Sequence, residues 1–224
     1  MYQKSRTECR TKQVGSTATG CAPLRVLSAI AATTFLFAAQ VEAETLPALF
    51  KVTGLADGDI LNVRAKPSAK SEDVGDLPMD AQVEVLEYDE DSKWARIIWQ
   101  EGNGWLATRY LAPMARVRLQ SGLPVGLTCN GNEPFWSLEL QPTGGFAFSS
   151  PEGAFDGQID WSSTSYNFGD SHHAFGGGNA TGVLQRGQCS DTMSDRSYGW
   201  SLDLVLDGQP PRLLSGCCFA QQNN

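Results

Sequence analysis

Histidine is nearly absent from this chain: two residues in 224, adjacent at His172 and His173. Zinc sites need three or four convergent ligands, and a serine or cysteine nucleophile needs a base brought to it from elsewhere in the chain. Two neighbouring histidines supply neither, which argues against metal-dependent and triad hydrolases. Helical spacing is also missing: beyond residue 44 no run of ten or more residues repeats apolar positions at three and four. Long membrane-spanning runs are missing too. The uncharged stretch 26–39 (VLSAIAATTFLFAA) has fourteen residues, about 21 Å of helix against a hydrocarbon core of about 30 Å.

That stretch has another reading. Residues 1–25 carry Lys4, Arg6, Arg10, Lys12 and Arg25 with Glu8 as their only acid, and Val41-Glu42-Ala43 follows the apolar run. A basic region, a short apolar core and an A-x-A-like end describe a secretory signal, here residues 1–43, with no stable membrane insertion after cleavage. Thr19-Gly20-Cys21 has the look of a lipobox, but the apolar run follows Cys21 instead of preceding it, so lipidation there is excluded.

From residue 44 onward the chain has 12 Lys and Arg against 23 Asp and Glu, a net of −11. No basic patch remains, so nucleic acid is not an expected partner. Four cysteines remain, Cys129, Cys189, Cys217 and Cys218. An even number in an exported chain reads as a disulfide framework and a periplasmic or secreted location. Cys217 and Cys218 are neighbours that point to opposite faces of a strand, and a direct bridge between them is strained. If first and last strands of a closed β-domain are neighbours, Cys129 meets one of the pair and Cys189 the other. Cys129–Cys218 with Cys189–Cys217 is favoured, the swapped pairing next.

Short alternating runs broken by Gly, Pro, Asp and Asn fill both halves. Leu61-Asn62-Val63-Arg64, Val83-Glu84-Val85 and Ala95-Arg96-Ile97 alternate in the first half. Trp136-Ser137-Leu138-Glu139-Leu140 and Leu202-Asp203-Leu204-Val205-Leu206 do so in the second. Period two at short spacing predicts strands, and many short strands predict barrels or sandwiches. The chain is expected to be all-β, divided into 46–114, a linker 115–126, and a second β-domain 127–220 holding the four cysteines. Pro67 ends the second strand, Asp89-Glu90-Asp91 is an acidic turn, and Asn103-Gly104 is predicted as a tight turn ahead of Trp105. The Gly-rich 168–182 (FGDSHHAFGGGNATG) reads as a long flexible loop with solvated histidines. Asn130-Gly131-Asn132-Glu133-Pro134 reads as a turn.

The strings LNVRAKPS, VGDLP, VEVLE, KWARI and GNGWLATRYL make residues 50–112 resemble the bacterial SH3 family. The resemblance implies a small barrel of five to seven strands in an exported protein, binding a cell-wall peptide or an envelope protein beside another domain. Asn62, Arg64 and Trp94, with Trp105 and Tyr110 at the far end, are the candidate ligand face, since aromatics beside an arginine suit peptide recognition. Each also has a structural reading, with Trp105 and Tyr110 plugging the barrel and Arg64 pairing with a turn carboxylate. The C-x-G-x-E-P-F-W start at Cys129, the C-x-D-x-M-S middle at Cys189 and Gly216-Cys217-Cys218 resemble small envelope β-domains near the META and heat-shock-lipoprotein group. That likeness implies envelope residence and a second disulfide-stapled barrel or sandwich.

Gly169-Asp170-Ser171-His172 matches the nucleophile block of GDS-type esterases, but no base lies elsewhere. Asp191 and Asp195 flank Ser194 and suit either paired acid–base work or a polar turn. No catalytic residue, metal or cofactor is expected. The favoured reading is a non-catalytic envelope protein. The alternatives are an acidic inhibitor of a basic envelope enzyme, and a weak hydrolase centred on 191–195. Mass spectrometry of the exported protein is expected to give a mature chain starting at Glu44; retention of residues 26–39 would contradict the signal assignment.

Overall fold

The computed structural model describes residues 45–220, so the expected signal segment 1–43 and its expected cleavage site at Ala43 lie outside the described residues. Sixteen strands and one 3-10 turn make up the fold, with no α-helix among the described residues. The all-β expectation holds.

The first sheet contains β1 (Ala48–Val52), β2 (Leu61–Arg64), β3 (Asp73–Leu77), β4 (Gln82–Tyr88), β5 (Trp94–Trp99), β6 (Gly102–Ala107) and β7 (Leu111–Met114), with the 3-10 turn Thr108–Tyr110 before β7. Its order is β3-β2-β6-β5-β4-β1-β7. Alternation decides which side chains go inside: Val52, Val63, Val83, Val85, Ala95, Ile97 and Leu106 are completely buried and form one core. Asn103-Gly104 is not the turn. Trp99 pairs with Gly102, and Gln100, at φ 51°, takes the left-handed conformation in the connection. Gly104 lies inside β6, where a Cβ would come within 2.3 Å of Val63 Cγ1. Its glycine serves close strand packing instead of chain reversal.

The second sheet runs through β8 (Leu127–Asn132), β9 (Phe135–Leu140), β10 (Gly145–Ser150), β11 (Gly153–Gln158), β12 (Trp161–Ser165), β13 (Gly169–Gly177), β14 (Ala180–Cys189), β15 (Tyr198–Leu206) and β16 (Arg212–Ala220). The order β11-β10-β9-β8-β16-β15-β14-β13-β12 is a meander in which the last strand returns to the first. The result is a half-barrel filled by Trp136, Leu138, Phe146, Phe175, Trp200, Leu202 and Leu204, among others. Two expected irregular segments are regular. Asn130 to Asn132 belong to β8, leaving Glu133–Pro134 as the turn. The Gly-rich 168–182 is mostly a hairpin of β13 and β14. Gly182 leaves room for the Phe175 ring, which would lie 2.4 Å from a Cβ there; glycine here accommodates core packing and does not signal a loop.

Both disulfides meet on β16. Cys218 faces Cys129 directly across the β16–β8 ladder, with both residues fully buried in the core. Cys217, on the opposite face, is bridged to Cys189 at the end of β14.

The two sheets pack within one compact unit. The connecting residues take part: Leu123 and Val125 are buried in the second core, and Leu49 of β1 packs against that core too. At the centre of the contact is Glu84 of β4, 1% exposed. Alternation places Glu84 on the outer face of the barrel, but that face is covered by the second sheet. Its carboxylate pairs with Arg116 and accepts hydrogen bonds from Trp200 Nε1 at 3.1 Å and from the Ala220 backbone N–H at 3.0 Å. Removing one member of a buried ion pair strands the other. Glu84→Ala is therefore expected to lower the unfolding free energy by roughly 3–5 kcal/mol, measured by chemical denaturation. A loss near that of an exposed site, about 0.5 kcal/mol, would contradict the clamp.

Candidate functional site

The outer face of the first barrel carries a row of side chains set by register. Arg64 of β2 is opposite Trp105 of β6, Trp105 opposite Arg96 of β5, and Arg96 opposite Glu87 of β4. Trp105 alternates with buried Gly104 and Leu106, so its indole points outward and stays partly exposed on the strand between Arg64 and Arg96. Arg96 Nε lies 3.0 Å from Glu87 Oε1. Arg64 Nη1 donates to the Ser71 carbonyl at 3.2 Å and lies 3.5 Å from Asp73 Oδ2.

Residues 59–112 match the bacterial SH3 domain family. The match spans β2 to β6 and the 3-10 turn and ends before the second sheet begins. No curated protein and no solved structure matches the chain.

On this SH3-type barrel, four of the five candidate residues share one face. Asn62 and Arg64 stand on β2, Trp94 on β5 and Trp105 on β6. Asn62 Nδ2 donates to Asp73 Oδ2 at 2.5 Å and Asp76 Oδ1 at 3.2 Å. Asn62 and Arg64 thus hold the β2–β3 hairpin as well as lining the surface. Tyr110 is not part of the row. It sits in the 3-10 turn with its ring against the barrel core and the Arg109 guanidinium 4.6 Å from the ring centroid.

Sequence reasoning did not connect the acidic turn to Trp105. A groove of 520 Å³ runs between them, lined by Pro67, Trp105, Glu87, Tyr88 and the acidic turn Asp89, Glu90 and Asp91. The turn residues were visible as a charge run. Their position beside Trp105 depends on the β4–β5–β6 register, which no local pattern encodes. Within the turn, Asp89 Oδ1 accepts from the Trp94 backbone N–H at 2.8 Å. Lys93 Nζ donates to Asp91 at 2.9 Å; this hydrogen bond and the attendant attraction hold the Asp91 carboxyl below its ordinary range and push Lys93 up.

The other candidate groups, Asp191 and the two histidines, make defined contacts within the fold. Burial works to raise the Asp191 carboxyl. The Ser194 backbone N–H at 2.9 Å, the Ser194 hydroxyl at 2.9 Å, the Met193 N–H at 3.1 Å and the Tyr198 hydroxyl at 3.1 Å outweigh it and hold Asp191 low. Three of these hydrogen bonds come from residues 193 and 194 and tie the carboxylate into its own turn.

His173 is not a solvated loop residue. It is 1% exposed in β13; its Nε2 lies 3.4 Å from Asp170 Oδ1 and 3.1 Å from the Asp170 carbonyl, and its Nδ1 lies 3.2 Å from the Thr164 hydroxyl. Arg118 and Arg186 both bind the Asp170 carboxylate, each at 2.7 Å. His172 lies with its ring 4.6 Å from Phe168, and its Nδ1 is 2.9 Å from the Ser171 hydroxyl, which donates to the Phe168 carbonyl.

Burial depresses the His173 pKa below its ordinary 6.5; Asp170 opposes the shift, while Arg118 and Arg186 reinforce it. The unfolded chain therefore binds a proton at a pH where the folded chain does not. Stability is fully present above about 6.5 and falls as pH drops through the window down to the lower folded value. His173→Asn is expected to flatten the dependence of the urea midpoint on pH between about 7 and 5. Equal slopes in both proteins would show that another group controls this window.

Proposed function

We propose that the protein is an exported, non-catalytic binding protein whose SH3-type barrel takes an extended cationic peptide in the Trp105 groove. The single observation that carries this reading is that Trp105, partly exposed, lines one groove with Pro67 and the acidic residues Glu87, Asp89, Glu90 and Asp91. An indole face gives a large contact area and attracts an ammonium or guanidinium group. The four acidic residues of the groove outnumber Lys93 and Arg96, the cations paired with two of them, and favour the same charge. Bacterial SH3 domains act as cell-wall or protein-binding modules, and an amine-bearing wall peptide or a basic stretch of an envelope protein has the required chemistry. The two disulfides support an oxidising location.

The test is calorimetric titration of the mature protein with a lysine-containing wall peptide at low and high salt. Trp105→Ala is expected to weaken binding by about tenfold or more, the loss of a central aromatic contact. The Glu90→Gln, Asp91→Asn pair is expected to reduce the salt dependence while leaving the thermal midpoint within a few degrees. Binding that survives Trp105→Ala but follows net charge would favour the acidic inhibitor reading instead.

A further inference from the structure

The two disulfides occupy opposite faces of one strand and differ sharply in access. Cys129 and Cys218 are both fully buried inside the half-barrel. Cys217 is nearly buried, but its partner Cys189 is partly exposed, and their bridge forms one wall of a 380 Å³ cleft on the outer face. The rest of that cleft is small and polar, including Asn132, Ser201, Asp203 and Ser215, with Met193 at its rim. No lysine or arginine lines it.

Cys189 also holds a particular place in the fold. It ends β14, beyond an irregularity after Arg186, and pairs there only with Tyr198. From it springs the segment 190–197, which reaches across to the SH3-type barrel. Asn103 Nδ2 donates to the Asp195 carbonyl at 2.7 Å, and the Ser197 N–H donates to Asn103 Oδ1 at 3.2 Å. Arg196 Nε donates to the Gln100 carbonyl at 2.5 Å, and its Nη2 lies 3.0 Å from Glu101 Oε1. These contacts brace the β5–β6 turn, and the Cys189–Cys217 bridge is the covalent anchor at their base.

We propose that Cys189–Cys217 is an exchangeable disulfide, opened by a dithiol reductant, whose state sets how firmly segment 190–197 holds the β5–β6 turn. Exchange requires an attacking thiolate to reach a sulfur, and the cleft provides that access at Cys189. One thiolate of the dithiol attacks Cys189 Sγ. The Cys189–Cys217 bond breaks, a mixed disulfide forms on Cys189, and Cys217 leaves as a thiolate that takes a proton. The second thiolate of the dithiol then attacks the mixed disulfide, releasing Cys189 as a thiol and closing the reductant's own disulfide. Two electrons and two protons pass to the protein, and the dithiol is oxidised. Cys129–Cys218, closed off by the core, stays intact throughout. The inference does not depend on which ligand the barrel takes.

The experiment treats the native mature protein with graded dithiothreitol, alkylates the released thiols and maps them by mass spectrometry. Amide hydrogen exchange is followed in parallel. Cys189 and Cys217 are expected to be alkylated about tenfold faster than Cys129 and Cys218, as access governs exchange rate. Exchange should rise in 190–197 and at residues 100–103 as the bridge opens, and fall again on reoxidation. Equal opening rates, earlier opening of Cys129–Cys218, or an opened bridge with unchanged exchange in those segments would each overturn the proposal. The Cys189→Ser, Cys217→Ser variant should show the raised exchange permanently; native-like protection in it would also overturn the proposal. The native protein under partial reduction decides the matter if that variant does not fold.

Discussion

The packing of the two sheets depends on a carboxylate that has been taken out of water. Glu84 gives up hydration on the outer face of β4 and receives in return Arg116, the Trp200 indole N–H and the Ala220 backbone N–H. Three donors come from three places: the connecting segment, the start of β15 and the end of β16. A buried charge of this kind contributes little net stability over an apolar contact. It penalises every arrangement in which its donors are elsewhere, and that fixes how the sheets meet. The network continues outward from Trp200. Arg116 and Arg186 both place their guanidinium groups over its ring, at 5.3 and 5.1 Å. Arg186 binds Asp170, which Arg118 and His173 also face. The acid of the GDS motif is thus the hub of an ion-pair cluster linked to the same interface.

Strand identity and barrel interior were legible because alternation is a local property. Val83, Val85, Ala95 and Ile97 could be placed by counting residues. The strand order that brings Cys129 to β16 followed from closing an antiparallel meander. What escaped were positions whose environment is made by distant chain. Glu84 looks like any outward strand residue until a second sheet covers it. His173 looks like part of a glycine-rich loop because Gly176, Gly177 and Gly182 suggest flexibility. In the fold, Gly176 and Gly182 lie under the rings of Trp161 and Phe175. Asn103-Gly104 misled in the same way: a glycine needed for close packing carries the same letter as one needed for a turn.

The candidate face was half legible. Arg64 and Trp105 stand in the two SH3-type anchor motifs, and the register sets them side by side. Tyr110 belongs to the second anchor as well, yet the 3-10 turn carries it to the barrel core, since a helical step after β6 breaks the alternation that a strand would have kept. The acidic turn was seen as a turn and missed as a wall of the groove. Its partners are β2 and β6, separated from it by up to two strands.

The position of β16 has a consequence for when the molecule can become whole. β16 is the last strand of its sheet to be synthesised, and the partners of both of its cysteines are made earlier. Neither Cys129 nor Cys189 has its native partner until residues 217 and 218 are made. The same strand supplies the Ala220 N–H to Glu84. The first barrel has all its strands once Met114 has passed, so it is in a position to fold first, with one outer-face carboxylate still hydrated. The β8–β16 pairing, both native bridges and the Ala220 contact to Glu84 all require the nine residues of β16.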